Sequence, residues 1–200
     1  LKPEKSDVAS FDEPRMVAVS SDRKRMLYNE KGSSTLLSID LQGEKAKRTK
    51  LDLTEILGVS KGATLNGTLS VVAWNSSSNK IILNWAHEDK SNWYLVDLEK
   101  IEKTINLTEK FGLKFTNILI ANDSASKLWA LEDGNLHLID TGNLTISAAK
   151  ITNVERITNN KDIVLYLTTD KTENKRMIRL YKDGESGSSD IAEVKSATAI

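Results

Sequence analysis

An all-β chain built of four repeated, four-stranded antiparallel units is what this sequence predicts, and three observations predict it. Apolar residues fall in short runs rich in β-branched and aromatic side chains, without the three-and-four spacing of an amphipathic helix. Met26-Leu27-Tyr28, Ile81-Ile82-Leu83, Leu128-Trp129-Ala130-Leu131 and Ile163-Val164-Leu165-Tyr166-Leu167 are of this kind. Turn chemistry bounds them, as in Asn75-Ser76-Ser77-Ser78-Asn79, Asn122-Asp123-Ser124-Ala125-Ser126, Asp133-Gly134-Asn135 and Asp183-Gly184. The third observation is an internal repeat, whose markers recur at corresponding places in successive units.

The first unit runs from Met16-Val17-Ala18-Val19 through Met26-Leu27-Tyr28 and Leu36-Leu37-Ser38-Ile39-Asp40 to about Leu53. The second has strands at Leu69 to Trp74, Ile81 to Trp85, Trp93 to Asp97 and Thr104 to Leu107. The third has Asn117 to Ile120, Lys127 to Leu131, Leu136 to Asp140 and Ile146 to Ile151, with Asp133-Gly134 as a tight hairpin turn. The fourth has Val154 to Thr158, Ile163 to Leu167, Met177 to Tyr181 and Ile191 to Val194. Only two short segments read as helical, Leu53 to Leu57 and Leu107 to Phe111. The units span approximately 15–53, 68–107, 115–151 and 154–195 of a single domain, 1–200, with 1–14 as an N-terminal arm or outer strand.

Three markers hold the units in register. The third strand ends in an apolar-Asp pair at Ile39-Asp40, Val96-Asp97 and Ile139-Asp140. The turn before the second strand carries Asp, Asn or Ser followed by a cation: Asp22-Arg23-Lys24, Asn79-Lys80, Ser126-Lys127 and Asn160-Lys161. A Leu-Thr-Glu-x-x-Gly string begins at Leu53 and again at Leu107. Repeats of roughly 40–55 residues with four short strands each are the signature of β-propeller blades. The fold class is therefore all-β, a β-propeller of about four four-stranded antiparallel blades. The innermost strand of each blade is expected to be its most apolar, as it is buried on both faces; Val71 to Trp74 and Ile118 to Ala121 fit, Val154 to Ile157 poorly.

Propellers have roughly four to eight blades, so four units raise the question of closure. Closure by the opening segment, truncation from a larger ring, and pairing of two chains into an eight-bladed ring all satisfy the pattern. Lys195 to Ile200 reads as the start of another inner strand. A partial ring leaves apolar blade faces open, and such faces take a partner.

The run Val19-Ser20-Ser21-Asp22-Arg23-Lys24-Arg25-Met26-Leu27-Tyr28, followed by Leu37-Ser38-Ile39-Asp40-Leu41, resembles the WD40-like repeat of TolB-type propellers. There a Ser-x-Asp-x-Lys turn leads into the second strand and a Val-Asp-Leu-type ending closes the third. The resemblance covers nearly the whole chain as a pattern, and the first unit matches it closely. The second unit replaces the turn Asp by Ser and Asn, the fourth lacks the Asp ending, and the Gly-His and Trp-Asp pairs of true WD40 repeats are absent. Asn106 to Phe115 is similar to the linkers that join a PEGA domain to a propeller in bacterial cell-envelope proteins. The resemblance implies an extracytoplasmic location, with anchoring through a segment that precedes this sequence.

Composition narrows the chemistry. Lys+Arg and Asp+Glu number 28 each, which argues against nucleic acid or an anionic membrane surface as partner. No apolar run approaches the roughly 18 residues of a spanning helix. The absence of cysteine excludes disulfides, thiolate metal sites and a cysteine nucleophile. The chain opens at Leu1 without Met and reads as a trimmed or mature fragment, from which any export signal has gone. His87, beside Glu88 and Asp89, reads as a solvated turn, and His137 as an exposed or intersheet side chain. No Gly-x-Ser-x-Gly, phosphate-loop or calcium-loop string occurs, and among inner-strand carboxylates only Glu155 stands out. Catalytic residues, metal ligands and cofactors are therefore predicted as none. Trp74, Asn75, Trp85 and Trp93 are the candidate ligand-binding residues, because aromatic faces stack on a ligand while amides orient it. Packing between blades is the competing role for the tryptophans. The expected function is a non-enzymatic scaffold that binds a protein, peptide or glycan at the bacterial cell envelope, with a homodimer through open blade faces as a further partner. The alternative is an enzyme or enzyme-accessory propeller of hydrolase type, with an axial pocket.

Overall fold

The computed structural model describes residues 14–30, 32–42, 47–61, 65–170 and 175–194. They form four antiparallel sheets of four strands, each a meander paired in chain order. The first sheet comprises β1 (Pro14–Val19), β2 (Arg25–Glu30), β3 (Thr35–Asp40) and β4 (Lys47–Asp52). The second comprises β5 (Thr68–Trp74), β6 (Lys80–His87), β7 (Lys90–Asp97) and β8 (Ile105–Asn106). The third has β9 (Phe115–Ile120), β10 (Lys127–Glu132), β11 (Asn135–Asp140) and β12 (Thr145–Ile146). The fourth has β13 (Val154–Asn160), β14 (Ile163–Asp170), β15 (Lys175–Lys182) and β16 (Ser189–Val194). The first strands β1, β5, β9 and β13 lie against one another in succession, so the sheets are radial blades of a partial β-propeller. The arm at 1–13 and the strand start at Lys195 to Ile200 lie outside the described residues.

Side-chain alternation explains why each middle sheet is apolar on both faces. Leu27, Leu36 and Leu51 meet Leu69, Ile81, Leu83, Tyr94 and Val96 in a core between the first two sheets. Ile82, Trp93 and Leu95 point the other way, onto Phe115, Ile118, Leu128 and Ile139. Trp129, Leu131 and Leu136 then meet Val154, Val164, Tyr166 and Tyr181 between the third and fourth sheets. Among the described residues no further core joins the fourth sheet to the first. Val17 and Val19 are 55% and 49% exposed at one end of this arc, and Leu165 is 36% exposed at the other.

The expectation that inner strands are the most apolar is corrected. β5 is buried at Leu69 alone, whereas β6 buries Ile81, Ile82 and Leu83 and β7 buries Trp93 to Val96. The middle strands have a neighbouring blade over both faces, while an inner strand turns part of its surface to the axis.

The two Leu-Thr-Glu-x-x-Gly strings form one-turn helices, α1 (Leu53–Leu57) and α2 (Leu107–Phe111). Asp52 and Asn106 accept hydrogen bonds from the first-turn backbone, and Gly58 and Gly112 take the left-handed conformation at φ 65° that ends each helix. Each helix carries the chain from the outer strand of one sheet toward the inner strand of the next. Asn106 to Phe115 is thus a connection between two blades of the same propeller.

The expected outer strand of the third unit, Ile146 to Ile151, is shorter than the sequence suggests. β12 holds two residues, after which Leu136 touches Ile151 through an isolated bridge. The hairpin at Asp133-Gly134 forms as expected, with φ of 43° and 74° at its two central residues.

Candidate ligand-binding surfaces

The four tryptophan and asparagine candidates do not converge. Trp74 and Trp85 pack on the core between the first and second sheets, opposite Ile81 and Leu69 respectively. Their pairing partners place them four β6 residues apart, about 13 Å along a strand. The Trp85 indole donates to the Asn66 carbonyl at 3.0 Å and its ring stacks on His87, centroids 5.8 Å apart. Trp93 lies on the opposite face, 5% exposed, and its indole donates to the Phe115 carbonyl at 2.8 Å inside the second core. Asn75 is 4% exposed and has no spare hydrogen-bonding capacity. Its Oδ1 accepts from the Asn79 and Lys80 amides at 3.1 and 2.8 Å, while Nδ2 donates to Asn79 Oδ1 and the Asp123 carbonyl at 2.8 and 3.2 Å.

What Asn75 does is hold a turn, and the same turn recurs. Ser20, Asn75 and Asn122 each cap the turn into the second strand of their sheets, accepting from the Arg25, Lys80 and Lys127 amides at 3.0, 2.8 and 3.3 Å. Three residues after each cap sits a positive φ, at Arg23, Ser78 and Ala125. These turns also bond to one another around one end of the arc. Ser78 donates to Asp22 at 2.8 Å, Ser76 donates to Asp123, and Lys161 pairs with Asp123 at 3.3 Å. The cation marker spans sheets too: Lys80 Nζ reaches the Ser124 carbonyl at 3.2 Å and Lys127 pairs with Asp183 at 2.8 Å. The Asp marker at the end of the third strand is a turn cap, with Asp140 Oδ1 accepting from the Gly142 and Asn143 amides at 2.8 and 3.0 Å.

The belt of turns responds to pH. The Ser20 hydroxyl above all, with the Lys24 amide and Ser78, holds the Asp22 carboxyl at about 2, below its ordinary 3.8. A depressed carboxylate contributes stability above its unfolded pKa and loses it as pH falls through the folded value, here between about pH 4 and pH 2. Asp22→Asn is expected to reduce the fall in melting temperature across that window, followed by circular dichroism. An unchanged slope would show that the Asp22 contacts carry no linkage.

A different region offers open space. Because β12 is two residues long, it leaves the outer part of the fourth sheet uncovered where that sheet faces the third. A lateral cavity of about 750 Å³ results, lined by Lys150, Tyr166, Thr169, Arg179, Tyr181 and Ser188 among others. None of its lining residues comes from an inner strand. The Tyr166 hydroxyl donates to Ser188 Oγ at 2.8 Å, and Arg179 Nε pairs with Asp190 at 2.6 Å at the rim. Tyr181 packs edge-on to Trp129, centroids 5.8 Å apart at 77°. Burial first, then the Asp183 and Glu185 charges, raises the Tyr181 pKa and keeps it a neutral phenol. Phenols, hydroxyls, a guanidinium and an ammonium suit the grip of a polar ligand, and Glu185 is the one carboxylate among the lining residues. The sequence held two signals for this groove: the brief run between the Gly142-Asn143 turn and Ser147, and the Glu185-Ser186-Gly187-Ser188 tract.

The histidines are otherwise engaged. His87, half-buried at the end of β6, sits 3.7 Å from Glu88 of the following turn, and His137 Nδ1 lies 3.0 Å from the Ser147 carbonyl. Glu155 bonds to Thr169 and pairs with Arg176 at 2.6 Å, and these contacts hold its pKa down. Among the described residues no group of three or more His, Cys, Asp or Glu side chains is placed to hold a metal ion, and no helix is long and apolar enough to cross a membrane.

No family model matches this chain, and no curated protein matches it. Solved structures do. Oligogalacturonate lyase from Vibrio parahaemolyticus is 12% identical with a TM-score of 0.61, the match covering 94% of this chain and 55% of the lyase. The β-propeller domain of Myceliophteria thermophila Cps50 (Swd1) is 14% identical with a TM-score of 0.54, over 92% of this chain and 57% of that one. A putative TolB from Agrobacterium tumefaciens is 10% identical with a TM-score of 0.52, over 94% and 83%. The chain spans about half the length of the lyase it matches. Together with the four radial sheets, these likenesses identify the fold as a partial β-propeller, similar in architecture to TolB, oligogalacturonate lyase and the Cps50 domain.

Proposed function

We propose that this chain is a non-enzymatic binding scaffold of the bacterial cell envelope, whose lateral groove takes a peptide, a protein segment or a glycan. The groove between the third and fourth sheets carries this reading, because its donors, hydroxyls and phenols converge on one open space. The TolB-like repeat pattern supports the extracytoplasmic, anchored location. A second copy of the chain, met through the open blade faces, is the other partner of this reading.

The test compares retention of the wild type and of Lys150→Ala/Arg179→Ala on purified peptidoglycan sacculi and on detergent-solubilised envelope proteins. Lys150 is exposed and Arg179, paired with Asp190, is half-buried, so the comparison requires a circular dichroism spectrum and melting temperature of the variant that match the wild type. Retention weakened by roughly tenfold supports the groove, as expected for the loss of two charged contacts. Equal retention overturns it.

One observation favours a second reading, an enzyme or enzyme-accessory propeller: the likeness to oligogalacturonate lyase. Chain-dependent cleavage of a polysaccharide substrate by the purified protein would replace the scaffold reading with that one.

A further inference from the structure

Tyr181 is 6% exposed, and its ring is taken up by the third core, edge-on to Trp129. Its hydroxyl is the part left over: it opens on the lateral groove, and no group among the described residues bonds to it. The neighbouring phenol differs, since Tyr166 spends its hydroxyl on Ser188 Oγ at 2.8 Å. A clamped ring that carries an unspent hydroxyl into open space holds one donor and acceptor in place before any ligand arrives. Burial first, with the Asp183 and Glu185 charges, keeps that phenol neutral, so both capacities persist.

The rest of the groove disfavours two ligand classes. An extended peptide needs a sheet edge to pair with, or apolar pockets for its side chains. The β11 edge beside the groove is spent on the chain itself. Leu136 accepts from the Lys150 amide at 2.7 Å and donates to the Ile151 carbonyl at 2.8 Å, while Leu138 accepts from the Ser147 amide at 2.9 Å and donates to Ser147 Oγ at 3.0 Å. The larger apolar groups of the lining, Ile151, Tyr166 and Tyr181, already pack in or against the third core. A charged ligand meets no net field, because Lys150 and Glu185 are of opposite sign and Arg179 is paired with Asp190 at 2.6 Å.

What remains accessible is hydroxyl and amide: Thr152, Asn153, Ser186 and Ser188 are exposed around the Tyr181 hydroxyl. We infer that the ligand of this groove is an uncharged, hydroxyl-rich oligosaccharide, and that the Tyr181 hydroxyl orients it by giving and accepting a hydrogen bond. This rests on the groove reading above and narrows its ligand to one class. Both aromatic rings of the groove are buried, which leaves no face to stack on a sugar ring. The polar contacts therefore carry the binding, and deleting one of them has a measurable effect.

The experiment uses the whole chain and isothermal titration calorimetry. Chitotetraose, cellotetraose and maltotetraose are the uncharged probes, a tetrameric oligouronate the charged one, and a tetrapeptide library the peptide arm. At least one uncharged tetraose is expected to bind. Tyr181→Phe deletes the hydroxyl and leaves the ring against Trp129, so it should weaken that binding roughly 3-fold to 10-fold, the loss of one neutral hydrogen bond. Its melting temperature should stay within about 2 °C of the wild type, since the hydroxyl bonds to nothing inside the protein. A lowered melting temperature, or tetraose binding that Tyr181→Phe leaves unchanged, overturns the role given to the hydroxyl. Failure of every uncharged tetraose to bind, or tighter binding of the oligouronate or the peptides, overturns the ligand class. In each case the groove reading stands while Lys150→Ala/Arg179→Ala lowers retention on envelope material, and it falls separately if that retention is unchanged.

Discussion

Trp129→Ala is expected to lower the stability of this chain by about 3–5 kcal/mol, the range for deleting a fully buried large aromatic side chain. Trp129 is 0% exposed and stands at the centre of the core between the third and fourth sheets. Its indole donates to the Lys161 carbonyl at 3.4 Å and its ring meets Tyr181 edge-on. Truncation leaves a cavity among Leu131, Leu136, Val164 and Tyr166, on strands too firmly paired to collapse into it. For a chain of this length the loss corresponds to a drop in melting temperature of roughly 6–20 °C. Urea unfolding followed by fluorescence measures it. A loss below about 1 kcal/mol would mean that these two sheets are not packed on each other. Trp74→Ala should cost less, since Trp74 is only partly buried at the edge of its core.

Gly67→Ala is expected to be the second most damaging substitution, at about 2–4 kcal/mol, combining left-handed strain with overpacking. Gly67 has φ +110°, and a Cβ there would overlap the Ala86 carbonyl oxygen while lying 3.0 Å from His87 Cβ. Both obstacles belong to β6, whose position is set by its neighbours β5 and β7, so little can yield. Gly58→Ala and Gly112→Ala serve as controls. They share a positive φ of 65° but have nothing within 4 Å of the added atom. Strain alone should cost about 1 kcal/mol at each. A Gly67→Ala loss no larger than the controls would refute the close approach of the 65–67 segment to β6.

Much of the fold is legible because local chemistry specifies it. Ser20, Asn75 and Asn122 can each close a turn with their own neighbours, so their recurrence marks the start of every second strand but the fourth. The fourth sheet uses a tighter connection, Lys161-Asp162, and its inner strand runs on to Asn160, two residues beyond the expected end. The Leu-Thr-Glu-x-x-Gly strings carry cap, helix and stop within a handful of residues and form what they predict. The candidate binding residues were harder to place from sequence. A tryptophan in a strand reads alike whether its face meets solvent or the next blade, and an asparagine reads alike whether its amide is free or spent on a turn.

From the sequence alone come the all-β class, the four units, their turns and the two short connecting helices, since each depends on groups a few residues apart. Tertiary structure decided what lies between units: that Trp93 points into a core, that Lys127 reaches Asp183 in the next sheet, and that the middle strands are the more deeply buried. It also decided where space remains, because the groove arises from a short β12 beside a long β15, lengths matched only when two blades meet. Alternation gives every strand two faces, and only the packing of one blade on another tells which face is covered and which stays open to a partner.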